Sequence, residues 1–505
     1  MGSYANNCSL DLTSYAWWKS NDNSSLGNNN GTATFTASDN GSSTVTATFG
    51  TKYATTSVTL IDKLLSSLVI DNTSITGRVD KMAQLTATGT YTDATTADLT
   101  STANWYTTNT SVATVTAGKV TISGVGTAII SVAYENVGDT SYFTGRSLVP
   151  LLATKVAAGD DHSCGLQSDG TLKCWGSNSD GQLGNGSTTD SLTPVSVSGI
   201  SSPVQIAAGF YHNCVRFSNG TLKCWGNNGN GQLGDDSTTD RSTAVSVSGS
   251  DNFVDLAVGR YHSCGLLSSG DVKCWGSNSQ GRLGDNSTTA RLTPVAVTGL
   301  SGAQKIAAGV DWTCAVLGEG SVKCWGKNQY GELGDGSTTN SLTPVTVSGL
   351  SNATDITARS NPPFGAHSCA LISGGTVKCW GNNQYGSLGD NTKTNRSTPV
   401  SVSGLSGVSE VTAGNGFTCA RLSDGTAKCW GLASNGRLGN DNDTTNQLTP
   451  VSVSGLTGAS QISAKNMSTC AVISGNAVKC WGRNDKGQLG STDTYDRLTP
   501  IQAGE

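Results

Sequence analysis

Fourteen of the fifteen cysteines form seven pairs, and nine residues separate the two members of every pair. The pairs are Cys164 and Cys174, Cys214 and Cys224, Cys264 and Cys274, Cys314 and Cys324, Cys369 and Cys379, Cys419 and Cys429, and Cys470 and Cys480. Zinc ligands usually lie only about two to four residues apart, and one pair supplies half of a tetrahedral site. The spacing therefore favours seven disulfides and an oxidising compartment over metal sites or free core thiols.

All four histidines stand two residues before the first cysteine of a pair. They are His162, His212, His262 and His367, and the other three copies have Trp312, Phe417 and Ser468 at this position. A ring of imidazoles could hold a metal ion or act as a base. Because the position also accepts an indole, a phenyl ring and a hydroxyl, packing or hydrogen bonding is the favoured interpretation.

A lysine precedes the second cysteine of every pair, and acidic and amide side chains collect in the long loops. The lysines are Lys173, Lys223, Lys273, Lys323, Lys378, Lys428 and Lys479. They could form a cationic ring, although stems laid along neighbouring strands with the ammonium in water are favoured. Loop runs such as Asp235-Asp236, Asp285-Asn286 and Asn440 to Asp443 lack the spacing of a calcium site and are interpreted as turns.

No motif of a known catalytic centre is present. The sequence has no nucleophile elbow, phosphate-binding loop, His-Glu-x-x-His motif or paired-carboxylate signature. We therefore expect no enzyme, no cofactor and no metal.

The residues that follow Ala-Ala-Gly differ between copies and favour large rings. The predicted binding residues are Phe210, Tyr211, Arg260, Tyr261, Asp311, Trp312, Phe364, Phe417 and Met467. Equivalent loops of a repeat lie on one face, and clustered aromatic and arginine side chains are typical of binding hot spots. The alternative is packing between repeats. The fifth copy adds five residues, in which Pro362 and Pro363 would display Phe364 in a contact loop.

Each cysteine pair must be positioned by a β-hairpin, because apolar residues alternate on both sides of a turn such as Ser168-Asp169-Gly170. The last turn residue is glycine in six copies and Asn476 in the seventh, both tolerant of positive φ. If Gln167 pairs with Thr171, the two cysteines lie directly opposite each other. The copy that starts at Lys155 predicts four strands, KVAAG, HSCGLQ, TLKCWG and TPVSV.

Composition excludes several partner classes. Charged residues make up 13% of the chain, and the formal net charge is -5. Nucleic acids and anionic membranes attract clustered lysine and arginine, which this sequence lacks. No apolar run reaches the roughly 18 residues of a membrane-spanning helix.

The part before the repeats predicts short alternating strands. The run TATGTYTDATTADLTSTANWYTTNTSVATV, followed by GVGTAIISVAY, resembles the bacterial immunoglobulin-like domains of the group 2 type. The resemblance implies a β-sandwich with Trp105 as its core tryptophan. Alignment of Trp18 on Trp105 leaves the first domain without its opening strands, so it is either truncated or completed by a neighbouring chain, which would cause self-association.

Two features of the start of the chain stay open. Met1-Gly2-Ser3 leads into polar sequence with no visible signal peptide. Cys8 has no partner at the common spacing, and it could be a free thiol, an intermolecular partner or the remnant of a longer domain.

Seven copies of one pattern fill the rest of the chain from about residue 153. Successive first cysteines are 50, 50, 50, 55, 50 and 51 residues apart, a period typical of propeller blades. The combination A-A-G-x-x-H-[ST]-x-x-L, D-G and W-G-x-N-x-x-G-Q-L-G resembles the regulator of chromosome condensation repeat, whose members form seven-bladed propellers. Members that act on a nuclear GTPase are intracellular, so the added cysteine pairs argue against that role.

The predicted fold is all-β. A partial immunoglobulin-like β-sandwich occupies residues 1–62, a complete one occupies residues 63–147, and a seven-bladed β-propeller with a disulfide in each hairpin occupies residues 148–505.

The predicted function is recognition outside the cell. We expect an extracellular or surface-displayed bacterial protein, in which an adhesin-like propeller head binds a protein or glycan and the immunoglobulin-like modules form a stalk. One alternative is a secreted enzyme inhibitor of the propeller β-lactamase-inhibitor type. Another is a structural subunit of a surface fibre.

Overall fold

The computed structural model describes residues 65–71, 74–78, 82–92, 94–124, 126–146, 150–250, 252–360, 365–442 and 444–504, together with the backbone of the strands within residues 2–60. The chain forms two compact units, Met1–Leu148 and Val149–Glu505. The helical elements among the described residues are two short 3-10 turns, Ser434–Gly436 and Ser474–Asn476. The all-β prediction is therefore confirmed for the described residues.

The first unit consists of short strands. They are Gly2–Ser3, Ser9–Leu10, Trp17–Ser20, Ser25–Asn29, Thr32–Thr36, Gly41–Phe49, Lys52–Leu60, Leu65–Ile70, Ser74–Arg78, Met82–Gln84, Ala87–Tyr91, Thr96–Asp98, Asn104–Thr107, Ala113–Thr116, Lys119–Ile122, Gly126–Tyr134 and Val137–Arg146. The ten strands from Leu65 onward pair into one four-stranded and two three-stranded sheets.

One hydrophobic core serves these ten strands, and Leu68, Ile130 and Phe143 are buried in it. Trp105 packs against this core in a half-buried position and donates a hydrogen bond from Nε1 to the carbonyl of Thr100 at 2.9 Å. Trp105 thus lies at the border of the core. The division into two immunoglobulin-like sandwiches stays a prediction, and Cys8 lies outside the described residues.

The second unit contains seven four-stranded antiparallel sheets, here called blades 1 to 7, each with strands a to d in chain order. The a strands are Lys155–Ala158, Gln205–Ala208, Phe253–Val258, Ala303–Ala308, Ala353–Ser360, Val408–Ala413 and Gln461–Lys465. The b strands are His162–Leu166, His212–Arg216, His262–Leu267, Trp312–Leu317, Ala366–Ile372, Phe417–Leu422 and Ser468–Val472. The c strands are Leu172–Gly176, Leu222–Gly226, Val272–Gly276, Val322–Gly326, Thr376–Gly381, Ala427–Gly431 and Val478–Gly482. The d strands are Ser191–Ser196, Arg241–Ser246, Arg291–Ala296, Ser341–Thr346, Arg396–Ser401, Gln447–Ser452 and Arg497–Gln502.

The seven blades form a closed ring. Strand a of each blade contacts strand a of the next, and blade 7 contacts blade 1 in the same way. The a strands of all seven blades line a central cavity of about 320 Å³. This arrangement is a seven-bladed β-propeller.

A short segment before blade 1 seals the junction between the first and last blades. The backbone N–H of Leu151 donates to the carbonyl of Ala503 at 3.0 Å, and that of Ala153 donates to the carbonyl of Asn476 at 2.7 Å. The side chains of Leu151 and Ala153 are buried with Trp175 in one cluster. All four strands of blade 7 come from the end of the chain, so no sheet is shared between the two ends of the propeller. The segment around Leu151 and side-chain packing therefore hold blade 7 to blade 1.

Strands b and c form the predicted hairpin in every blade. In blade 1 the N–H of Gln167 donates to the carbonyl of Thr171 at 2.8 Å, and the cysteines are paired across the strands. The Cα atoms of each bonded pair are 4.0 or 4.1 Å apart. Asn476 has the expected positive φ of 65°. All seven predicted disulfides are formed.

Buried tryptophans of strand c join neighbouring blades. Trp225 in blade 2 donates from Nε1 to the carbonyl of Gln182 in blade 1 at 2.9 Å. Trp175 in blade 1 does the same to Gln488 in blade 7 at 2.9 Å, so the closing interface repeats the ordinary one. Leu183, the leucine of the repeated Gly-Gln-Leu-Gly pattern, is fully buried and anchors its loop.

Proline occupies one position on the outer strand of six blades. In blade 1 the N–H of Val197 donates to the carbonyl of Leu172 at 2.9 Å, and Val195 pairs with Cys174. Because hydrogen-bonding directions alternate along a strand, the nitrogen of Pro194 faces away from strand c. The equivalent residues are Pro294, Pro344, Pro399, Pro450 and Pro500, while blade 2 has Ala244. Proline on an outer edge has no N–H to offer another strand.

Candidate functional site

Antiparallel order places the loops between strands a and b, and those between strands c and d, on one face of the propeller. We call these the ab loops and cd loops, and the surface they form the ab face. The ab loops bring Tyr211 and Tyr261 together, with ring centroids 6.4 Å apart. The Arg260 guanidinium lies 4.9 Å from the Tyr261 centroid and 5.1 Å from that of Phe210. These residues form one cluster beside the propeller axis.

Three predicted binding residues lie in the core. Phe210, Trp312 and Phe417 expose at most 1% of their surface. Trp312 donates from Nε1 to the hydroxyl of Ser368 in the next blade at 2.9 Å, and Arg437 lies 5.9 Å from the Phe417 centroid. Their burial favours a packing role, and direct contact of these three with a ligand stays a hypothesis.

The remaining predicted residues are more open. Tyr211, Arg260, Tyr261, Asp311 and Met467 are half-buried. Asp311 in blade 4 forms ion pairs with Arg282 at 2.9 Å and Lys327 at 3.9 Å. Phe364, Pro362 and Pro363 lie outside the described residues. Direct ligand contact by the five half-buried residues stays a hypothesis.

Two long cations at the end of strand a are not among the binding residues predicted from the sequence. Strand a is followed by glycine in five blades, at Gly159, Gly209, Gly259, Gly309 and Gly414. Arg359 in blade 5 and Lys465 in blade 7 take the equivalent position, and they expose only 4% and 6% of their surface. Both replacements of this glycine are readable in the sequence, and they are the signal that could have identified these cations.

These cations reach across the axis and fill the ab end of the channel. Lys465 donates from Nζ to the carbonyl of Ala208 in blade 2, and to that of Val258 in blade 3 at 3.1 Å. The Arg359 guanidinium lies 5.3 Å from the centroid of Phe210 in blade 2. Phe210 therefore lies close to two guanidinium groups, those of Arg260 and Arg359.

Asp160 is the carboxylate nearest to this group of cations. Burial, reinforced by the neighbouring Asp161, raises the pKa of Asp160 to about 7, although Arg359 and Arg260 oppose the shift. Its Oδ1 has no hydrogen-bond partner among the described residues. Burial also lowers the pKa of Arg359, which stays charged at neutral pH. A buried carboxyl near neutrality can either accept or donate a hydrogen bond.

The histidines form hydrogen bonds between blades, which agrees with the structural role that the sequence favours. The Nε2 of His212 lies 2.9 Å from the hydroxyl of Ser263 in the next blade, and that hydroxyl donates to the carbonyl of Gln232 at 2.9 Å. Because the serine proton is used in the second bond, Nε2–H of His212 is the donor in the first. His262 and His367 make the same contact to threonine hydroxyls.

Burial also keeps these imidazoles neutral. It lowers the pKa of His162 and His367 to about 4 and that of His212 to about 3, and it holds the pKa of His262 well below its usual value. A proton on a fully buried imidazole lacks solvation. The histidines therefore join blades.

The repeated lysines and acidic loops also have ordinary surroundings. All seven lysines are half-buried on strand c, two strands away from the axis, so they do not converge at its mouth. In the cd loop of blade 2, Asn228 donates to Asp235 at 2.9 Å, and Asp235 pairs with Arg241 at 2.9 Å. Within the described part of the chain, no three His, Cys, Asp or Glu side chains lie close enough together to hold a metal ion.

No described helix is long and apolar enough to cross a membrane. The seven disulfides indicate an oxidising, extracellular environment.

Two known proteins share sequence with part of this chain. The ultraviolet-B receptor UVR8 of Arabidopsis thaliana is 32% identical over 146 residues, which are 28% of this chain and 33% of the receptor. Ice-binding protein 1 of Shewanella frigidimarina is 32% identical over 165 residues, which are 31% of this chain and 18% of that protein. The chain thus spans about a third or less of the length of these curated relatives.

Solved structures with low sequence identity share the fold. Prp20p of Saccharomyces cerevisiae superposes with a TM-score of 0.60 at 22% identity, covering 67% of this chain and 87% of that one. Human WBSCR16 superposes with a TM-score of 0.59 at 19% identity, covering 66% of this chain and 94% of that one.

Family models match much of the chain directly. The model of the RCC1-like domain matches residues 107–362, and models of the regulator of chromosome condensation (RCC1) repeat match residues 374–421 and 408–437. The seven repeated hairpins, the closed ring of a strands and these matches agree. The chain belongs to the family of RCC1-like domain proteins.

Proposed function

We propose that this chain is an extracellular bacterial binding protein whose propeller recognises a protein partner through the ab face. The observation that carries the proposal is the cluster of Tyr211, Arg260 and Tyr261 beside the propeller axis. Tyrosine and arginine are enriched among residues that dominate binding energy, especially near the centre of an interface. Seven disulfides hold the loops that display them on a rigid scaffold.

Proteins of the same fold support protein recognition as the use of such a surface. The yeast protein Prp20p is described by its binding properties to Gsp1p and histones, and a second structure shows it bound to Kap60. RCC1-like propellers typically serve as binding or regulatory domains. In the present chain the histidines, which are the side chains best suited to acid–base chemistry, are buried between blades, and this favours recognition over catalysis.

The part of the chain before the propeller favours an adhesin-like role. In this proposal the strands of Met1–Leu148 form an immunoglobulin-like stalk that holds the propeller away from a cell surface. Inhibition of a secreted enzyme would use the same ab face, so the identity of the bound protein separates these two roles. Assembly into a fibre would instead require self-association through the first unit.

A paired-variant binding experiment tests the proposal. The full chain is screened against purified extracellular-matrix proteins, host cell-surface proteins and secreted enzymes by surface plasmon resonance. For a ligand found in this way, Tyr211→Ala combined with Tyr261→Ala should weaken binding at least about thirtyfold, because each ring is a large contact near the centre. Tyr106→Ala is the matched control, since Tyr106 is 58% exposed in the first unit and does not belong to the ab face.

The three outcomes are clearly separated. Loss of binding in the double variant with retention in the control places the interface at the axis. Equal affinity of wild type and double variant for the same ligand would overturn the proposed face. Binding that disappears when the ligand is enzymatically deglycosylated would show glycan recognition instead of protein recognition.

A further inference from the structure

The ab end of the channel holds more positive than negative charge, although the chain as a whole carries a formal charge of -5. Arg260, Arg359 and Lys465 meet there, and Asp160 is the carboxylate among them. The nearby Arg483 is already paired, since it lies 3.7 Å from Asp161 and 2.5 Å from Asp485. These side chains belong to blades 1, 3, 5 and 7.

The protein groups that hold the two buried cations are mainly neutral. Lys465 donates to backbone carbonyls, and Arg359 lies against the ring of Phe210. Such contacts satisfy hydrogen bonds and surround the charge with favourable dipoles, yet they add no negative charge. A buried charge is costly unless an opposite charge balances it. The site is therefore expected to attract an anion.

Half-buried side chains surround the buried cations, and a ligand can approach the site through them. Arg260, Tyr211 and Tyr261 are half-buried, and Arg260 makes a side-chain hydrogen bond with Tyr211. A guanidinium at this depth can still present its planar N–H groups to a carboxylate. The two tyrosine rings supply apolar surface for the residues on either side of that carboxylate.

We propose that the mouth of the channel on the ab face is an oxyanion site that takes the side-chain carboxylate of an acidic segment of a partner protein. This inference rests on the proposed function, because it names the chemical group that the propeller head recognises. Arg260 makes the first contact, Arg359 and Lys465 supply the buried positive potential, and the tyrosines contact the flanking residues.

Asp160 gives the site a dependence on pH. The charged and titratable groups that face it are Asp161 on its own loop, Tyr211 on blade 2, Arg260 on blade 3, Arg359 on blade 5 and Arg483 on blade 7. When protonated, Asp160 no longer cancels the positive charge, and its O–H can donate to the incoming carboxylate. Above neutral pH it ionises and repels that carboxylate. Binding should therefore weaken as pH rises from 6 to 8.

The test uses a fluorescein-labelled hexaglutamate peptide as the acidic segment and hexaglutamine as its neutral counterpart. Fluorescence anisotropy with the full chain, at low salt and pH 6, should show binding of hexaglutamate and none of hexaglutamine. Arg260→Gln should raise the Kd at least about tenfold. Arg291→Gln is the matched control, because Arg291 is the first residue of the outer strand of blade 3, away from the mouth, and pairs there with Asp285 of the cd loop.

Asp160→Asn separates the proposed site from general attraction between charges. This variant keeps a donor at the same place but cannot ionise, so its Kd for hexaglutamate should change little between pH 6 and 8. The wild-type Kd should rise severalfold over the same range. Parallel pH curves for the two proteins, or equal affinity after Arg260→Gln, would overturn the proposal.

Two further outcomes identify which idea has failed. Binding of oligogalacturonate without binding of hexaglutamate would show a site for acidic sugars and overturn the present assignment. If the protein ligand found by screening depends on Tyr211 and Tyr261 but is unaffected by Arg260→Gln, the oxyanion site is wrong while protein recognition by the ab face stands.

Discussion

Each buried histidine is a titratable group that the fold keeps neutral. His212 lies at the junction between blades 2 and 3. Its Nε2–H donates a hydrogen bond to the hydroxyl of Ser263, and its Nδ1 has no hydrogen-bond partner among the described residues. Trp312 makes the equivalent contact in blade 4 without titrating. The histidine positions should therefore influence the response of the fold to acid.

We predict that His212→Gln reduces the loss of stability in acid. The folded pKa of His212 is about 3, whereas the unfolded chain takes up the proton near pH 6.5, so stability present above pH 6.5 is lost as pH falls toward 3. The glutamine side chain keeps an N–H donor for Ser263. The free energy of urea-induced unfolding should therefore fall by about 1.4 kcal/mol per pH unit less in the variant than in the wild type between pH 6 and 4.

Comparison of the wild type with the His212→Gln variant removes the contribution of the other titratable groups to the pH dependence of stability. Burial raises the pKa of Asp160 and Glu332 to about 7, and their effect in this range has the opposite sign because the folded chain holds the extra protons. Both carboxyls are present in wild type and variant, so they cancel in the difference. Equal slopes in the two proteins would show that His212 does not titrate as proposed.

Two buried threonines at the same repeat position should respond oppositely to substitution by valine. Thr418 accepts from His367 at 2.8 Å and donates to the carbonyl of Ser387 at 2.9 Å, whereas the hydroxyl of Thr469 has no partner among the described residues. Phe417 occupies the histidine position beside Thr469. Thr418→Val should cost about 1 to 3 kcal/mol, and Thr469→Val should be neutral or stabilising.

Urea denaturation at pH 7.5 measures both threonine variants against the wild type. The valine side chain has a similar shape, so differences report mainly on hydrogen bonding. A larger loss for Thr469→Val than for Thr418→Val would mean that Thr469 has a partner, such as an ordered water.

The hairpin of strands b and c is the element that the sequence predicted best. Turn residues, alternating apolar residues and paired cysteines all act over about ten residues, so local rules determine its register. The prediction that Gln167 pairs with Thr171 is confirmed by a backbone hydrogen bond of 2.8 Å.

Removal of one hairpin disulfide should weaken the fold without opening the ring. We expect Cys264→Ala combined with Cys274→Ala to lower the free energy of unfolding by about 2 to 3 kcal/mol, since the bond closes a short loop in the unfolded chain. Urea denaturation of protein made in an oxidising compartment provides the measurement.

Thiol counting supplies the control for the disulfide experiment. Under denaturing, non-reducing conditions the wild type should show at most one reactive thiol, that of Cys8. Several reactive thiols would show that the bonds are not formed in solution, and the stability comparison would then lose its basis.

Positions between blades were harder to predict than positions within one. The sequence placed Phe210, Trp312 and Phe417 together with Tyr211 and Tyr261, because all five stand in equivalent loops. Their exposure depends on residues distant in the sequence: Trp312 bonds to Ser368 in the next blade, and Phe210 lies against Arg359 of blade 5. Local pattern contains no information on that contact.

The side chains that meet at the mouth of the channel were equally hard to predict from the sequence. Arg359 and Lys465 are visible as exceptions to Ala-Ala-Gly, but their meeting with Phe210 and Asp160 requires four different blades to surround one axis. The seven copies of the repeat predicted the number of blades. It did not predict which side chains would cross the centre of the ring.

At the scale of the whole molecule, the ring depends on the segment that seals blades 7 and 1. Leu151 exposes 1% of its surface and its neighbour Leu152 exposes 45%, so the two residues form a matched pair. Leu151→Ala should lower the free energy of unfolding by about 2 to 5 kcal/mol through the cavity it leaves, while Leu152→Ala should have little effect.

Hydrogen exchange locates the effect of Leu151→Ala. Amides of strand a in blade 1 and of strand c in blade 7 should exchange faster in this variant, because the junction opens first. Uniformly unchanged exchange at both strands, together with wild-type stability, would contradict a sealing role for the segment.

The prolines on the outer strands bear on whether two copies of the propeller can pair edge to edge. A crowded layer of β-propellers brings the rims of neighbouring copies into repeated contact, and exposed strand edges then invite sheet growth between molecules. In six blades the proline nitrogen cannot donate to an approaching strand, so collisions at the rim end without pairing. This feature should reduce the tendency of two copies to join edge to edge through their outer strands.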